Sequence, residues 1–92
     1  MAKVRCEKVT EGLRASEVLV SLRDFHHRRH FIRVERDFLS EVEGNHYLPI
    51  GVVHFDPKTK AVLIELPHEA ETGANRLWVS PDQLDEPIEA IA

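Results

Sequence analysis

The stretch Glu17-Val-Leu-Val-Ser-Leu-Arg23, answered after the tip Asp24-Phe-His-His-Arg28 by Arg29-His-Phe-Ile-Arg-Val-Glu35, decides the fold class. Val18, Val20 and Leu22 recur at every second position, which on an extended backbone places them on one face. In the answering stretch Phe31, Ile32 and Val34 supply the apolar side chains. Both runs are rich in β-branched residues and the tip between them is polar, so the pair predicts an antiparallel hairpin.

Working outward, strand signals recur at about every eight to twelve residues, the spacing of a meander or barrel. Lys3 to Val9 reads as a weak first strand. Arg36 to Val42 reads as either a strand or a helical turn. Glu43-Gly-Asn-His46 is a turn, because Gly and Asn adopt positive φ at low cost. Tyr47 to Phe55 is the longest apolar run, and Pro49 and Gly51 inside it predict a bend or bulge. Asp56-Pro-Lys-Thr-Lys60 is a hairpin turn in which Pro57 presets φ and Asp56 can bond its own backbone. Ala61 to Leu66 then pairs back through Val62, Ile64 and Leu66. Pro67 to Asn75 is a longer polar loop, and Arg76-Leu-Trp-Val79 a further strand. Ser80-Pro-Asp-Gln-Leu84 predicts one helical turn, with Ser80 as cap and Pro81 in the first helical position. Pro87 to Ile91 is expected to close the fold as a short edge strand. Val34 to Val42 is the best helical candidate, and it offers too few apolar positions at helical spacing.

About six to eight short strands in a single domain over residues 1–92 fit a small all-β barrel better than a two-sheet sandwich, which needs more chain. The order of hairpin, long loop, aromatic-bearing strand, one-turn helix and last short strand follows that of Src-homology-3-like barrels. Through FDPKTKAVLIEL and RLWVSPDQL, the stretch Val53 to Leu84 also resembles the second half of a photosynthetic-reaction-centre (PRC) type barrel. That resemblance implies a barrel topology and no particular activity.

A chain that is 42% hydrophobic and 30% charged, with a formal charge of -4, belongs among globular rather than disordered proteins. Cys6 is the one cysteine, so no internal disulfide can form, and a lone thiol fits a reducing compartment. No apolar signal core follows Met1, and no apolar stretch approaches the roughly 20 residues of a membrane helix. The expectation is a soluble, cytoplasmic, bacterial-type protein that runs complete from Met1 to Ala92 and does not engage membranes. Its charge is unevenly spread. Arg23, Arg28, Arg29, Arg33 and Arg36 make the second quarter basic, whereas from Glu65 onward the acids are opposed only by Arg76.

Three readings of candidate chemistry arise. The first takes Phe25-His-His-Arg-Arg-His-Phe31 as a metal site. His26 and His30 on one strand would lie roughly 13 Å apart, and a third ligand would have to come from His46, His54 or His68. A solvated, pH-sensitive loop is the preferred reading, with no metal. Read as a nucleic-acid contact, the same region offers Arg28, Arg29, Arg33 and Arg36 as phosphate forks, with Phe25 and Phe31 as stacking surfaces. The acidic balance of the whole chain opposes that reading. The third reading concerns the loop Pro67 to Asn75 leading into Arg76 and Trp78. Here Glu69, Glu71, Arg76 and Trp78 form a candidate protein contact, with Trp78 facing outward if Leu77 and Val79 face the core.

Catalysis has little to stand on. Cys6 has no local activating group, the serines sit in no nucleophile motif, and Glu69 and Glu71 read as solvated acids. There is neither a glycine-rich phosphate loop nor a Cys-x-x-Cys. The sequence therefore points to a non-catalytic protein-interaction module without cofactors, whose partner is another protein or a second copy. Nucleic-acid binding through the arginine-rich segment 23–36 is the alternative.

Overall fold

The alternation over Glu17 to Glu35 folds as its period dictates. In the computed structural model, which describes residues 2–88, these residues form two of nine short strands. In chain order the first five are β1 (Lys3–Arg5), β2 (Lys8–Glu11), β3 (Glu17–Arg23), β4 (Arg29–Glu35) and β5 (Ser40–Val42). The rest are β6 (Asn45–Pro49), β7 (Gly51–Phe55), β8 (Val62–Glu65) and β9 (Arg76–Val79). Two 3-10 turns, Arg36–Phe38 and Pro81–Gln83, punctuate the strands. No helix among the described residues is long and apolar enough to cross a membrane.

The strands form three antiparallel sheets of three, in the orders β1-β6-β5, β2-β3-β4 and β7-β8-β9. The β3–β4 ladder runs its full length, from Glu17 opposite Glu35 to Arg23 opposite Arg29. Val18, Val20, Leu22, Ile32 and Val34 point inward and are buried. His30 shares their phase and is buried with them, whereas Phe31 lies on the outer face at 37% exposure.

Two bent segments stitch the sheets together. Between β1 and β2 the ladder changes partner: the Cys6 amide donates to the His46 carbonyl at 2.8 Å and the Glu7 amide to the Ser21 carbonyl at 2.8 Å. Between β6 and β7 the break falls at Ile50, whose amide donates to the Ala2 carbonyl at 3.0 Å. Pro49 and Gly51 flank that break, as the sequence leads one to expect. A bulge follows, where the β7–β8 register shifts between Val52 and His54. The weak first strand over Lys3 to Val9 is thus two strands, and the run Tyr47 to Phe55 is divided between β6 and β7.

Arg36 to Val42 resolves into both of its alternatives, a 3-10 turn followed by β5. In the turn that follows, positive φ falls on Glu43 (52°) and Gly44 (83°), and Asn45 already belongs to β6. The Asp56 turn closes as its residues predict: one carboxylate oxygen accepts the Lys58 amide at 3.0 Å and the other the Thr59 hydroxyl at 2.9 Å. The Ser80 amide donates to Gln83 Oε1 at 2.8 Å and starts the second 3-10 turn, which has Pro81 in its first position. Beyond it Leu84 bridges Val4, and the Asp85 amide donates to the Lys3 carbonyl at 3.0 Å, so this segment lies along β1. The closing strand expected over Pro87 to Ile91 extends outside the described residues.

All three sheets face one core, built on Val4, Leu22, Ile32, Leu48, Ile64 and Val79 with their buried neighbours. The chain is all-β, but no one sheet closes into a barrel among the described residues. Burial of apolar side chains from every sheet is the main term holding them together.

A candidate groove between the hairpin tip and the ninth strand

The groove begins with an aspartate. At the tip of the β3–β4 hairpin Asp24 is 8% exposed, and its carboxylate is fully engaged. Oδ1 accepts the amides of His26 at 2.8 Å and Arg28 at 2.9 Å, and Oδ2 lies 2.9 Å from His30 Nε2. These bonds wind the tip tightly enough to place His27 at a φ of 66°. Burial acts to raise the Asp24 pKa. His30 and the two amides together outweigh it, and the net shift is downward.

The other ring nitrogen of His30, Nδ1, lies 2.8 Å from the Thr72 hydroxyl. A chain Asp24–His30–Thr72, buried at Asp24 and His30 and surfacing at Thr72, therefore ties the hairpin tip to the loop 67–75. The Glu71 amide adds a second tie by donating to the Phe31 carbonyl at 2.7 Å, along the outer edge of β4. A third comes from the Phe25 amide, which donates to the Trp78 carbonyl at 2.7 Å and seats the tip on β9. Buried polar groups with all partners satisfied make a rigid frame, and among the described residues no buried side-chain N or O atom lacks a partner.

Between these elements lies an open groove of about 550 Å³. It is lined by His26, Arg28 and Arg29 from the hairpin, by Arg76 and Trp78 from β9, and by Asp24, His30 and Thr72. Two separate candidates in the sequence, the arginine-rich segment and the Arg76–Trp78 strand, thus line one groove. Trp78 is half-buried between the buried Leu77 and Val79, opposite Leu63 of β8, with its ring edge-on to His54 at 6.3 Å.

The remaining candidates lie elsewhere. Glu71 sits on Arg33, at 3.3 Å, outside the groove. Glu69 is exposed and does not line it. Phe31 and Arg33 share the outer face of β4 and do not line it either. The histidines divide as well: His26 and His27 are exposed, whereas His30 is buried. Among the described residues no group of three or more His, Cys, Asp or Glu side chains is placed to hold a metal ion. Burial pushes the Cys6 thiol up to about 12, so at neutral pH it stays protonated.

The charges largely cancel. Glu7 takes both Arg23 at 2.7 Å and Arg29 at 2.8 Å, and hydrogen bonding to Arg23, reinforced by Arg29, holds its carboxyl below the usual range. Glu65 takes Arg76 at 3.0 Å, and Glu11 takes Arg36 at 2.7 Å. The arginine-rich segment is therefore laced with glutamates from neighbouring segments, Glu7, Glu11 and Glu71, a pairing that sequence spacing does not display. A second groove of about 470 Å³, between Phe38, Val53 and Pro67, is mostly apolar and was not anticipated either. Comparison with known proteins finds no matching family, no matching curated relative and no matching solved structure. The groove is read from its own chemistry.

Proposed function

We propose that the chain is a non-catalytic protein-interaction module that receives its partner in the groove between the hairpin tip and β9. One observation carries the reading. Arg28 and His26 from the hairpin tip line one groove together with Arg76 and Trp78 of β9, although the two sets are far apart in the chain. Arginine and tryptophan are the residues that most often dominate binding energy at protein contacts. The Asp24–His30–Thr72 chain holds that lining in place before any partner arrives, which lowers the entropic cost of binding. The carrier is read as a small, partly open barrel of the Src-homology-3-like kind, in which the two bent segments pass strands from sheet to sheet around one core.

The nucleic-acid alternative draws less support from the same surface. Arg29 and Arg33 are each matched by a glutamate. A polyanion drawn to these arginines would meet the glutamates already paired with them, Glu7, Glu65 and Glu71. Phosphate recognition depends on net positive charge across a face, and here that charge is spent locally.

A photoreactive amino acid in place of His26 tests the reading, with the same substitution at the exposed Val42, which does not line the groove, as the control. In extract of the producing cells, position 26 should give protein adducts that survive nuclease, and position 42 should not. Adducts destroyed by nuclease would transfer the assignment to nucleic acid. No adduct at position 26 would overturn the proposal.

A further inference from the structure

Resting on the reading of the groove as a protein contact, we infer that its occupant is a short acidic–apolar peptide segment. In that segment a single carboxylate lies on Arg28 and the adjoining large apolar side chain enters a hollow beside Trp78. The hollow, of about 160 Å³, opens next to the groove and shares His26 and Trp78 with it. Phe25 and Ala61 complete its apolar lining, with Asp56 and Thr59 at the polar rim. The bond from the Phe25 amide to the Trp78 carbonyl fixes the Phe25 and Trp78 backbones side by side. The surface is thus bipartite, cationic on one side of Trp78 and apolar on the other.

The charges select the anion. Arg29 and Arg76 are held by Glu7 and Glu65, each within 3.0 Å. Arg28 differs from both. Its side chain is 77% exposed, and its acidic neighbour is Asp24 at 3.7 Å, whose oxygens are already occupied by two amides and His30. A guanidinium has five N–H donors in a flat fork that matches a carboxylate, so Arg28 keeps donors to offer. One carboxylate satisfies it. A string of phosphates would bring further negative charge against the flanking glutamates, and like charges close together cost binding energy. The apolar hollow, which meets the Arg28-lined groove at His26 and Trp78, asks for a large aliphatic or aromatic side chain close to the acid in the segment.

Trp78 is the chain's one tryptophan, so its fluorescence reports occupation directly. The probes are the blocked hexapeptide GSEFSG, its variants GSQFSG and GSESSG, and an oligothymidine of twelve nucleotides. GSEFSG should change the emission saturably, and either replacement in the peptide should weaken binding by about tenfold or more. Arg28→Gln should lose affinity for GSEFSG by a similar factor while its circular dichroism stays that of the parent. Equal binding of GSEFSG and GSQFSG, undiminished binding by Arg28→Gln, or tighter binding of the oligothymidine would each overturn the inference. If GSEFSG fails to bind while position 26 still crosslinks to protein, only the ligand chemistry falls. If both are absent, the protein-contact reading falls with it.

Discussion

Asp24 shows what a single buried carboxylate does for this molecule. It turns the hairpin tip by accepting two amides, and it sets one side of His30 so that the other side meets Thr72. Removing the charge leaves donors with a poorer acceptor in a place that water does not reach freely. Asp24→Asn is therefore expected to cost about 1–3 kcal/mol at neutral pH, read from urea denaturation. The pH dependence follows from the direction of the shift. Because folding lowers the Asp24 pKa, its contribution is complete above the ordinary aspartate value of 3.8 and is lost as pH falls through the lower folded value. Glu7 and Asp56 are lowered too, by direct hydrogen bonds, and titrate in the same sense, but those bonds lie nearer the surface, where solvent screens them. Stability measured from about pH 5 to about pH 2 should thus decline more steeply in the parent than in Asp24→Asn; parallel curves would show that Asp24 is not the linked group. Cys6 gives an independent check on burial. With its thiol pushed up to about 12, it should react with a disulfide reagent far more slowly in the native protein than in urea at the same neutral pH. Equal rates would mean that the β1–β2 bend opens readily.

At the scale of the element, the β2–β3 hairpin turns on Gly12. Its amide donates to the Glu17 carbonyl at 3.0 Å, and a Cβ built on Gly12 would lie 2.7 Å from that same oxygen. The atom in the way is backbone and cannot swing aside, so Gly12→Ala should cost about 1–3 kcal/mol through displacement of the strand ends. A thermal midpoint equal to the parent's would show that the turn rearranges freely. How far each element was legible depends on what specifies it. β3, β4 and β9 announce themselves because alternation sets their register: one slip would carry Val20 or Leu77 to solvent. The Asp56 turn is legible because its partners lie within four residues of it. Arg36 to Val42 carries neither period, and the structure spends it on a turn and a three-residue strand that packs Leu39 only partly. The frame of the groove was out of reach for a different reason. His30 and Thr72 are 42 positions apart, and nothing local marks Thr72 as the partner. The available signal was the phase of His30, inward with Ile32 and Val34, since a histidine on a buried face requires polar company. Glutamate pairing on the arginines was likewise set by sheet order and not by spacing, which is why the basic segment reads stronger in sequence than it stands in space.

On the scale of the whole molecule, three sheets of three strands are too small to stand alone. A sheet of three short strands needs something to cover its apolar face, and here each is covered by the other two. Leu22 on β3, Leu48 on β6 and Ile64 on β8 come one from each sheet, and all are fully buried in the same cluster. The exposed ion pairs add little to this, because pairs in water contribute roughly 0–1 kcal/mol each and weaken with salt. Truncation of any one of the three core residues should therefore act on the entire fold. Leu22→Ala, Leu48→Ala and Ile64→Ala are each expected to cost about 2–5 kcal/mol, a large share of the roughly 5–15 kcal/mol typical of a small domain. Cooperativity makes the sharper prediction. The bends at Cys6–Glu7 and at Ile50 carry strands from sheet to sheet, so one sheet cannot open without removing the cover from the others. In urea, far-ultraviolet circular dichroism, which sees all nine strands, and Trp78 fluorescence, which sees the groove, should share one midpoint in the parent. All three variants should move both midpoints together. If Leu48→Ala shifted the circular dichroism and left the fluorescence in place, the β1-β6-β5 sheet would be melting by itself, and the groove would owe its rigidity to the hairpin and β9 alone.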